Sequence, residues 1–323
     1  MQEIGGYLGL EQFDGHEKYA KLVAVNSGRN ALLYILRARE INKIYIPFFL
    51  CDSVSALCDK YHYQYEYYHI NNQFEPIFDK ELKPNEYLYI VNYYGILDAD
   101  KLRCFKALYT NIIVDNVQAF FSEPIDEIDA VYSCRKFFGV PDGGYAATKA
   151  KPFEHYDVDV SGARMKHILG RYEQSASAFY ADFKANDAEF GQMPLRYMSK
   201  LTHNLMSGIN YEKVKKTREN NFQYLHNQLG AFNRLQITEI AGPYVYPFYM
   251  EDGMRIKRML ADEKIFVPTL WPNVLTLENT LEKDFAENIL PLPIDQRYGM
   301  REMQFVVNEV GRCINRCNET ANL

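Results

Sequence analysis

Apolar runs alternate with amphipathic segments along the first half of the chain. The runs KIYIP (43–47), NIIVD (111–115) and DAVYS (129–133) predict buried strands. Residues 28–40 and 99–109 carry apolar side chains at helical spacing and predict helices. Strands and helices in alternation favour a mostly parallel sheet with right-handed crossovers.

Further strands and a helix fill the gaps between these elements. The stretches YQYEYYHI (63–70) and EYLYIVNYYG (86–95) predict strands, and the second ends in a turn at Gly95. FFLCDSVSALCDKY (48–61) predicts a helix. Ahead of the helix at 28–40, Asn26 or Ser27 suits the N-cap position.

The second half is predicted to be mainly helical. Residues 151–205 are polar and predict helices, and a long helix starts at 211. ITEIAGPYVYPFYM (237–250) predicts strands, and GMRIKRMLADEKIFVPTLWP (253–272) predicts a helix followed by a strand. The last helix has one apolar stripe, interpreted as core packing: Met303, Val306, Val307, Val310 and Ile314.

Length and composition restrict the class of protein. A chain of 323 residues can form a large α/β domain, expected at 1–205, and a smaller C-terminal one, expected at 206–323. With 47% hydrophobic and 24% charged residues, it has the composition of a soluble globular protein. The net charge of −6 weighs against nucleic acid or an anionic membrane as a partner. Without a signal peptide or a membrane-spanning run, we expect a cytoplasmic protein.

Several common site motifs are missing. The six cysteines show no C-x-x-C spacing and the seven histidines no H-x-x-x-H pair, so we expect no metal site. No G-x-G-x-x-G follows an early strand, and neither a P-loop nor G-x-S-x-G occurs. Dinucleotide, ATP and serine-hydrolase functions therefore lose their main support.

The candidate chemistry lies between Val114 and Gly144. Asp115 ends one apolar run, with Gln118 three residues later. Ser133 ends the next run, and Lys136 follows it by three residues. The stretch then closes on Asp142, Gly143 and Gly144.

This combination is typical of pyridoxal-phosphate catalysis. A lysine amine binds the cofactor aldehyde and then moves the proton between carbons, while a carboxylate keeps the pyridine nitrogen protonated. A hydroxyl near the lysine can bind the phosphate. Taken singly, Asp115 fits a turn or helix cap, Lys136 a surface charge and the glycine pair a turn. Only their conjunction indicates a site.

The motifs resemble those of the DegT-like sugar aminotransferases, a family of fold-type I pyridoxal-phosphate enzymes. That family has a D-x-x-Q element, a Ser shortly before the cofactor lysine, and a Gly-Gly pair. The resemblance implies an α/β fold whose large domain has a mostly parallel seven-stranded-type sheet flanked by helices. It also implies a smaller C-terminal α/β domain, and it extends over nearly the whole chain.

The resemblance implies a role for each matching residue. Lys136 would be the catalytic residue and hold the cofactor, Asp115 would pair with the pyridine nitrogen, and Gln118 would lie near the ring 3-hydroxyl. Ser133 would bind the phosphate, together with the first phosphate-binding turn. The residues matching that turn are Ser27, Gly28 and Arg29.

Two positions depart from the family pattern. The aromatic residue that stacks on the cofactor ring is replaced by Cys51, so a neighbouring Phe48 or Phe49 stacks there or that face stays open. In the N-Y-R-M-S-like element, here LRYMS (195–199), the Asn that reaches the partner subunit's cofactor phosphate is missing. Arg196 is a candidate replacement.

The activity implied is transfer of an amino group from an amino acid, such as glutamate, to a keto-sugar. The sugar would be nucleotide-linked, the pathway cell-surface polysaccharide or related amino-sugar biosynthesis, and the protein a homodimer. Two alternatives stay open. One is a catalytically degenerate relative that acts as a binding or assembly partner, and the other is lyase or decarboxylase chemistry on the same cofactor.

Overall fold

One mixed sheet organises the computed structural model, which describes residues 4–321. Its strand order is β1-β8-β7-β6-β5-β2-β3-β4. The five strands from β7 to β3 in that order are parallel, whereas β8, β1 and β4 each pair antiparallel with their neighbours. The strands are β1 (Val23–Val25), β2 (Lys43–Pro47), β3 (Gln64–Ile70), β4 (Pro76–Ile77), β5 (Glu86–Val91), β6 (Ile112–Asp115), β7 (Asp129–Ser133) and β8 (Gly144–Ala147).

A second, two-stranded sheet and the helices complete the fold. β9 (Tyr246–Tyr249) pairs antiparallel with β10 (Ile289–Leu292). The α-helices of the described residues are α1 (Gly28–Ala38), α2 (Asp52–Tyr61), α3 (Ala99–Tyr109), α4 (Lys166–Glu173), α5 (Tyr180–Gln192), α6 (Lys200–Ser207), α7 (Tyr211–Leu229), α8 (Gly253–Asp262), α9 (Leu281–Asn288) and α10 (Met300–Ala321).

Two apolar cores correspond to the two sheets. The larger core contains the buried faces of the main sheet and of α1, whose residues 30–36 are all buried. The smaller core joins α7, α8 and α10 to β9 and β10 through residues such as Phe222, Leu260 and Met303. Met303, Val306 and Val310 are buried there, which confirms the apolar stripe of the last helix. The division of the chain at 205 stays a prediction.

The predicted α/β class and mostly parallel sheet are confirmed, with one strand more than the seven expected. The extra strand is the two-residue β4 at the sheet edge. The strand predictions at 237–245 and 265–271 were wrong, because these residues form no strand. Gly242, Pro243 and Pro268 lie in them, and a proline cannot donate to a strand ladder.

The helices of the described residues are too short or too polar to cross a bilayer.

Candidate active site

The carboxyl ends of the central strands open into one cleft. β5, β6 and β7 are adjacent and parallel, so their ends meet at the same edge of the sheet, beside the start of α1. The cleft has a volume of about 380 Å³. All seven predicted site positions line it: Ser27, Gly28, Arg29, Asp115, Gln118, Ser133 and Lys136.

The N-terminus of α1 is packed tightly against the lysine-bearing segment. The Ser27 side chain caps the helix by accepting a hydrogen bond from the Asn30 N–H at 3.1 Å. A Cβ atom on Gly28 would lie 3.2 Å from the Ser133 Cβ, and one on Gly144 would lie 2.5 Å from the Ser27 carbonyl carbon. The two glycines therefore let the first turn of α1 approach β7 and β8. The first N–H groups of a helix lack intrahelical acceptors and favour an anion.

Asp115 ends β6 as a buried carboxylate with two hydrogen bonds. One oxygen accepts from the Val117 N–H at 2.8 Å, and the other accepts from the Tyr89 hydroxyl at 2.8 Å. Burial raises the pKa of Asp115, while these two hydrogen bonds and the charge of Lys136 oppose the rise. A cationic N–H in the cleft would find a desolvated acceptor here, with lone pairs still unused.

Gln118 is fixed by the backbone of the neighbouring strand end. Its Oε1 accepts a hydrogen bond from the Tyr94 N–H at 2.9 Å. Because a backbone N–H can only donate, the amide oxygen must face Tyr94, and the NH₂ group is left to donate elsewhere. Gln118 is buried and lines the cleft, so this donor suits a ligand oxygen.

Lys136 ends a short 3₁₀ turn (Cys134–Lys136) that directly follows β7. Its side chain is exposed to the cleft. The pKa of the Lys136 amine is raised, chiefly by the electrostatic influence of the Tyr244 phenol, while burial of the amine opposes this. In the free protein the amine is therefore an ammonium at neutral pH.

The carbonyl after this lysine is clamped by two side chains from the C-terminal part of the chain. Phe137 O accepts hydrogen bonds from Gln296 Nε2 at 2.7 Å and from Arg218 Nη2 at 3.4 Å. Arg218 is buried, and its guanidinium lies 4.6 Å from the Phe137 ring centre. It also donates to Pro243 O and Tyr244 O, so one guanidinium ties the lysine turn to the segment that carries Tyr244.

Asp142 has a structural role outside the cleft. Its buried carboxylate accepts hydrogen bonds from the Ser199 N–H and hydroxyl, at 2.9 and 2.7 Å, and from the Thr202 hydroxyl. It thereby holds the start of α6 against the loop before β8. Gly143 in the same loop has a φ of +115°, which explains a glycine at that position.

Of the residues considered for stacking on a cofactor ring, only Cys51 lies at the cleft. Cys51 lines the cleft, whereas Phe48 stacks on Tyr67 and Phe49 is completely buried. Neither phenylalanine is therefore available to cover a ring in the cleft. Trp271, which packs 4.5 Å from Phe49, lines the cleft from the C-terminal side.

Several cleft residues were missed by sequence reasoning. They stand at positions to which the motifs assign no role: Tyr89, Arg135, Asp187, Phe190, Thr269 and Trp271. Arg196, the candidate replacement for the missing Asn, does not line the cleft of its own chain. Its guanidinium lies 3.4 Å from Asp159, which also pairs with Arg164 at 2.6 Å. Among the described residues, no group of His, Cys, Asp and Glu could hold a metal ion.

Comparisons with known proteins agree on the fold. No family model and no curated protein matches the chain. Solved structures, however, do match it. NtdA from Bacillus subtilis, with bound cofactor PMP, is 14% identical with a TM-score of 0.66, over 93% of this chain and 74% of NtdA. Spr1654 of Streptococcus pneumoniae, named as a sugar aminotransferase, is 14% identical with a TM-score of 0.65, over 93% of this chain and 88% of its own.

A third neighbour is a DegT DnrJ EryC1 StrS aminotransferase from Brucella abortus. It is 12% identical with a TM-score of 0.60, over 91% of this chain and 86% of its own. At identities this low, the structural likeness establishes the fold alone. The chain therefore has the fold of the sugar aminotransferases of this type, as its motifs predicted.

Proposed function

We propose that this chain is a pyridoxal-phosphate-dependent aminotransferase acting on a keto-sugar. The observation that carries the proposal is the convergence of Lys136, Asp115, Gln118 and Ser133 with the α1 N-terminus around one cleft. The first N–H groups of α1 and the desolvated carboxylate of Asp115 fit a ligand with an anionic group at one end and a cationic ring nitrogen at the other.

Each residue has a defined task in this proposal. When bound, pyridoxal phosphate supplies an aldehyde and an electron-accepting ring. Lys136 Nζ would bind the aldehyde carbon, and its amine would also serve as the base for the substrate α-proton. The Asp115 carboxylate would accept the ring N–H, and the Gln118 NH₂ group would donate to the ring 3-oxygen. Ser27, Gly28, Arg29 and Ser133 would bind the phosphate.

The finer features of the proposal rest on the resemblance of the motifs. They are glutamate as the donor, a nucleotide-linked sugar as the acceptor, a role in cell-surface polysaccharide or related amino-sugar biosynthesis, and a cytoplasmic location. The proposed domain boundary near 205 is part of the same account. It makes the clamp of Arg218 and Gln296 a link between the two domains.

The proposal also includes a homodimer. It rests on the resemblance of the motifs, because members of that family build each active site from two chains. Sedimentation should give twice the chain mass, and an active monomer would contradict the dimer.

Amino transfer can be tested with ¹⁵N-labelled glutamate. The protein loaded with pyridoxal phosphate should release 2-oxoglutarate and pass the label to a nucleotide-linked keto-sugar, detected by mass spectrometry of the sugar. Lys136→Ala should abolish transfer, whereas Lys101→Ala, which removes a lysine on α3 paired with Glu75, should leave it unchanged. No transfer from any amino acid, with cofactor demonstrably bound, would favour a binding partner or other chemistry.

A further inference from the structure

Two arginines flank the residues that are proposed to bind the cofactor phosphate. Arg29 directly follows Gly28 in the first turn of α1, and Arg135 lies between Ser133 and Lys136. Both line the same cleft as Lys136. The close approach of Gly28 to Ser133, described above, brings the two segments that carry these arginines together.

The charges of these two arginines are poorly compensated. Within the described chain, Arg29 has no ion pair, and its Nε is buried without a hydrogen-bond partner. Arg135 is only 18% exposed, and its nearest carboxylate, Asp187, lies 3.5 Å away with 60% of its side chain in solvent. Burial lowers the pKa of Arg135; the charge and hydrogen bond of Asp187 oppose this, and the charges of Arg29 and Arg164 lower it further.

The Arg135 guanidinium is held in place by a ring. It lies 3.9 Å from the centre of Phe190, which comes from α5 and also lines the cleft. When a guanidinium stacks on an aromatic face, its N–H groups point outward in the plane of the guanidinium and can bind an oxyanion. Asn186, one turn earlier on α5, is buried with both amide atoms unpartnered in the described structure. The region around Arg135 and Asn186 therefore has more hydrogen-bonding groups than partners within the described protein.

Other nearby arginines are paired with a buried carboxylate. Arg164 is paired with Asp159 at 2.6 Å, although its Nε is also buried without a hydrogen-bond partner, and Arg196 shares the same carboxylate; neither lines the cleft. The arginines of the cleft are thus Arg29, without an ion pair in the described chain, and Arg135, with one solvent-exposed partner at 3.5 Å. Two guanidinium groups beside a helix N-terminus match the chemistry of a doubly charged phosphate monoester.

We propose that Arg29 and Arg135 form a phosphate-monoester subsite in the cleft, and that its occupant is the phosphate of the cofactor. The inference rests on the proposed function and extends it, because Arg135 joins the binding set. The subsite is built from one chain, so it supplies hydrogen bonds in place of those that the missing Asn would bring from a partner, and it adds positive charge. A phosphate or carboxylate carried by the substrate has the same chemistry and is the rival occupant.

A matched pair of ligands separates the phosphate contribution from the rest of cofactor binding. Pyridoxal phosphate and pyridoxal differ only in the phosphate, and both can bind Lys136 covalently. For the wild type and Arg135→Gln, the dissociation constant of each ligand is measured from the absorbance of the lysine adduct. We expect Arg135→Gln to weaken pyridoxal phosphate about tenfold or more and to leave pyridoxal within about twofold. Arg29→Gln should behave alike.

Two further variants keep the test decisive. Asp187→Asn removes the one carboxylate near Arg135, so it should tighten binding of pyridoxal phosphate several-fold without changing pyridoxal, even if Arg135→Gln fails to fold. Arg103→Gln removes an exposed arginine on α3 that pairs with Asp100 and should change neither constant.

The outcomes distinguish failure of the proposed subsite from failure of the proposed function. If Arg135→Gln and Asp187→Asn leave the ratio of the two dissociation constants unchanged, the subsite is wrong. If they change only the binding of a nucleotide-linked sugar, the anion belongs to the substrate and the cofactor assignment is wrong. If the wild type forms no adduct with either ligand, the proposed function itself fails.

Discussion

The floor and the cover of the cleft differ in how the sequence encodes them. The floor consists of strand ends and the α1 N-terminus, and it carries Asp115, Gln118, Ser133 and Lys136. The cover consists of α5 and residues 269–273, and behind the lysine turn lies the clamp of Arg218 and Gln296. Floor residues are local motifs at strand ends, whereas cover residues are scattered over distant segments.

The difference teaches that parallel topology determines most of the arrangement of the floor. Once β5, β6 and β7 are parallel neighbours, their ends must meet at one edge, whatever the loops between them do. The cover has no such constraint. Its position depends on packing of the C-terminal part against the sheet, which no short motif specifies.

The largest expected effect belongs to the floor. Asp115→Asn keeps the shape of the side chain and one of its two accepting oxygens, but it removes the negative charge beside the ring nitrogen. We expect amino transfer to fall about 10²- to 10³-fold, since a preorganised charge in the site is lost. Steady-state rates of labelled amine transfer measure it. Asp100→Asn, an exposed carboxylate on α3, serves as the control, and an equal rate in both variants would remove Asp115 from the site.

The next effect tests the clamp that the C-terminal part forms behind the lysine. Arg218→Gln leaves three backbone carbonyls with fewer donors and removes a buried cation, so it should lower the free energy of unfolding by about 3 kcal/mol. Urea unfolding measures this. Arg301→Gln on α10, an exposed position, should change the free energy of unfolding by less than about 0.5 kcal/mol.

If Arg218→Gln unfolds with wild-type stability, the clamp is not a structural link. Gln296→Ala removes the shorter of the two bonds to Phe137 O and should cost about 1 to 2 kcal/mol. Comparison of the two variants then shows whether the charged donor, Arg218, or the neutral donor, Gln296, contributes more to the free energy of unfolding.

A smaller effect is expected at Trp271, on the cover. It is the single tryptophan of the chain, and it lines the cleft that is proposed to hold the cofactor. Binding of pyridoxal phosphate should therefore quench the tryptophan emission. Trp271→Phe should weaken binding by several-fold at most, because the covalent bond to Lys136 is retained. Unchanged emission at saturating cofactor would contradict the placement of the cover.

The smallest effect concerns the pKa of Lys136. Tyr244 is the chief cause of the raised pKa of the Lys136 amine, so Tyr244→Phe should lower this pKa. At a given pH below the pKa, the fraction of neutral amine should then increase. In the apoprotein, acylation of Lys136 should then be faster at a given pH below that pKa, as quantified on its peptide by mass spectrometry. A slower reaction would show that Tyr244 acts by another route.

Sequence reasoning succeeded where one local signal determines the structure. The N-cap at Ser27, the strands at KIYIP and DAVYS, and the long helix at 211–229 all follow from spacing and capping. It failed at 237–245 and 265–271, where apolar residues form no strand and each segment contains a proline. Arg135 was given no role from the sequence, because only tertiary packing brings Phe190 and Asp187 against it.

The choice of lysine is the central claim, and it can be tested by reduction with borohydride. The protein is saturated with pyridoxal phosphate and reduced, and the labelled peptide is then mapped. The strongest competitor is Lys257, a buried lysine whose pKa is lowered to about 8 by burial, so it has more neutral amine. The account predicts label on Lys136, lost in Lys136→Arg and kept in Lys257→Arg. Label on Lys257, or a reduced protein without label, would contradict it.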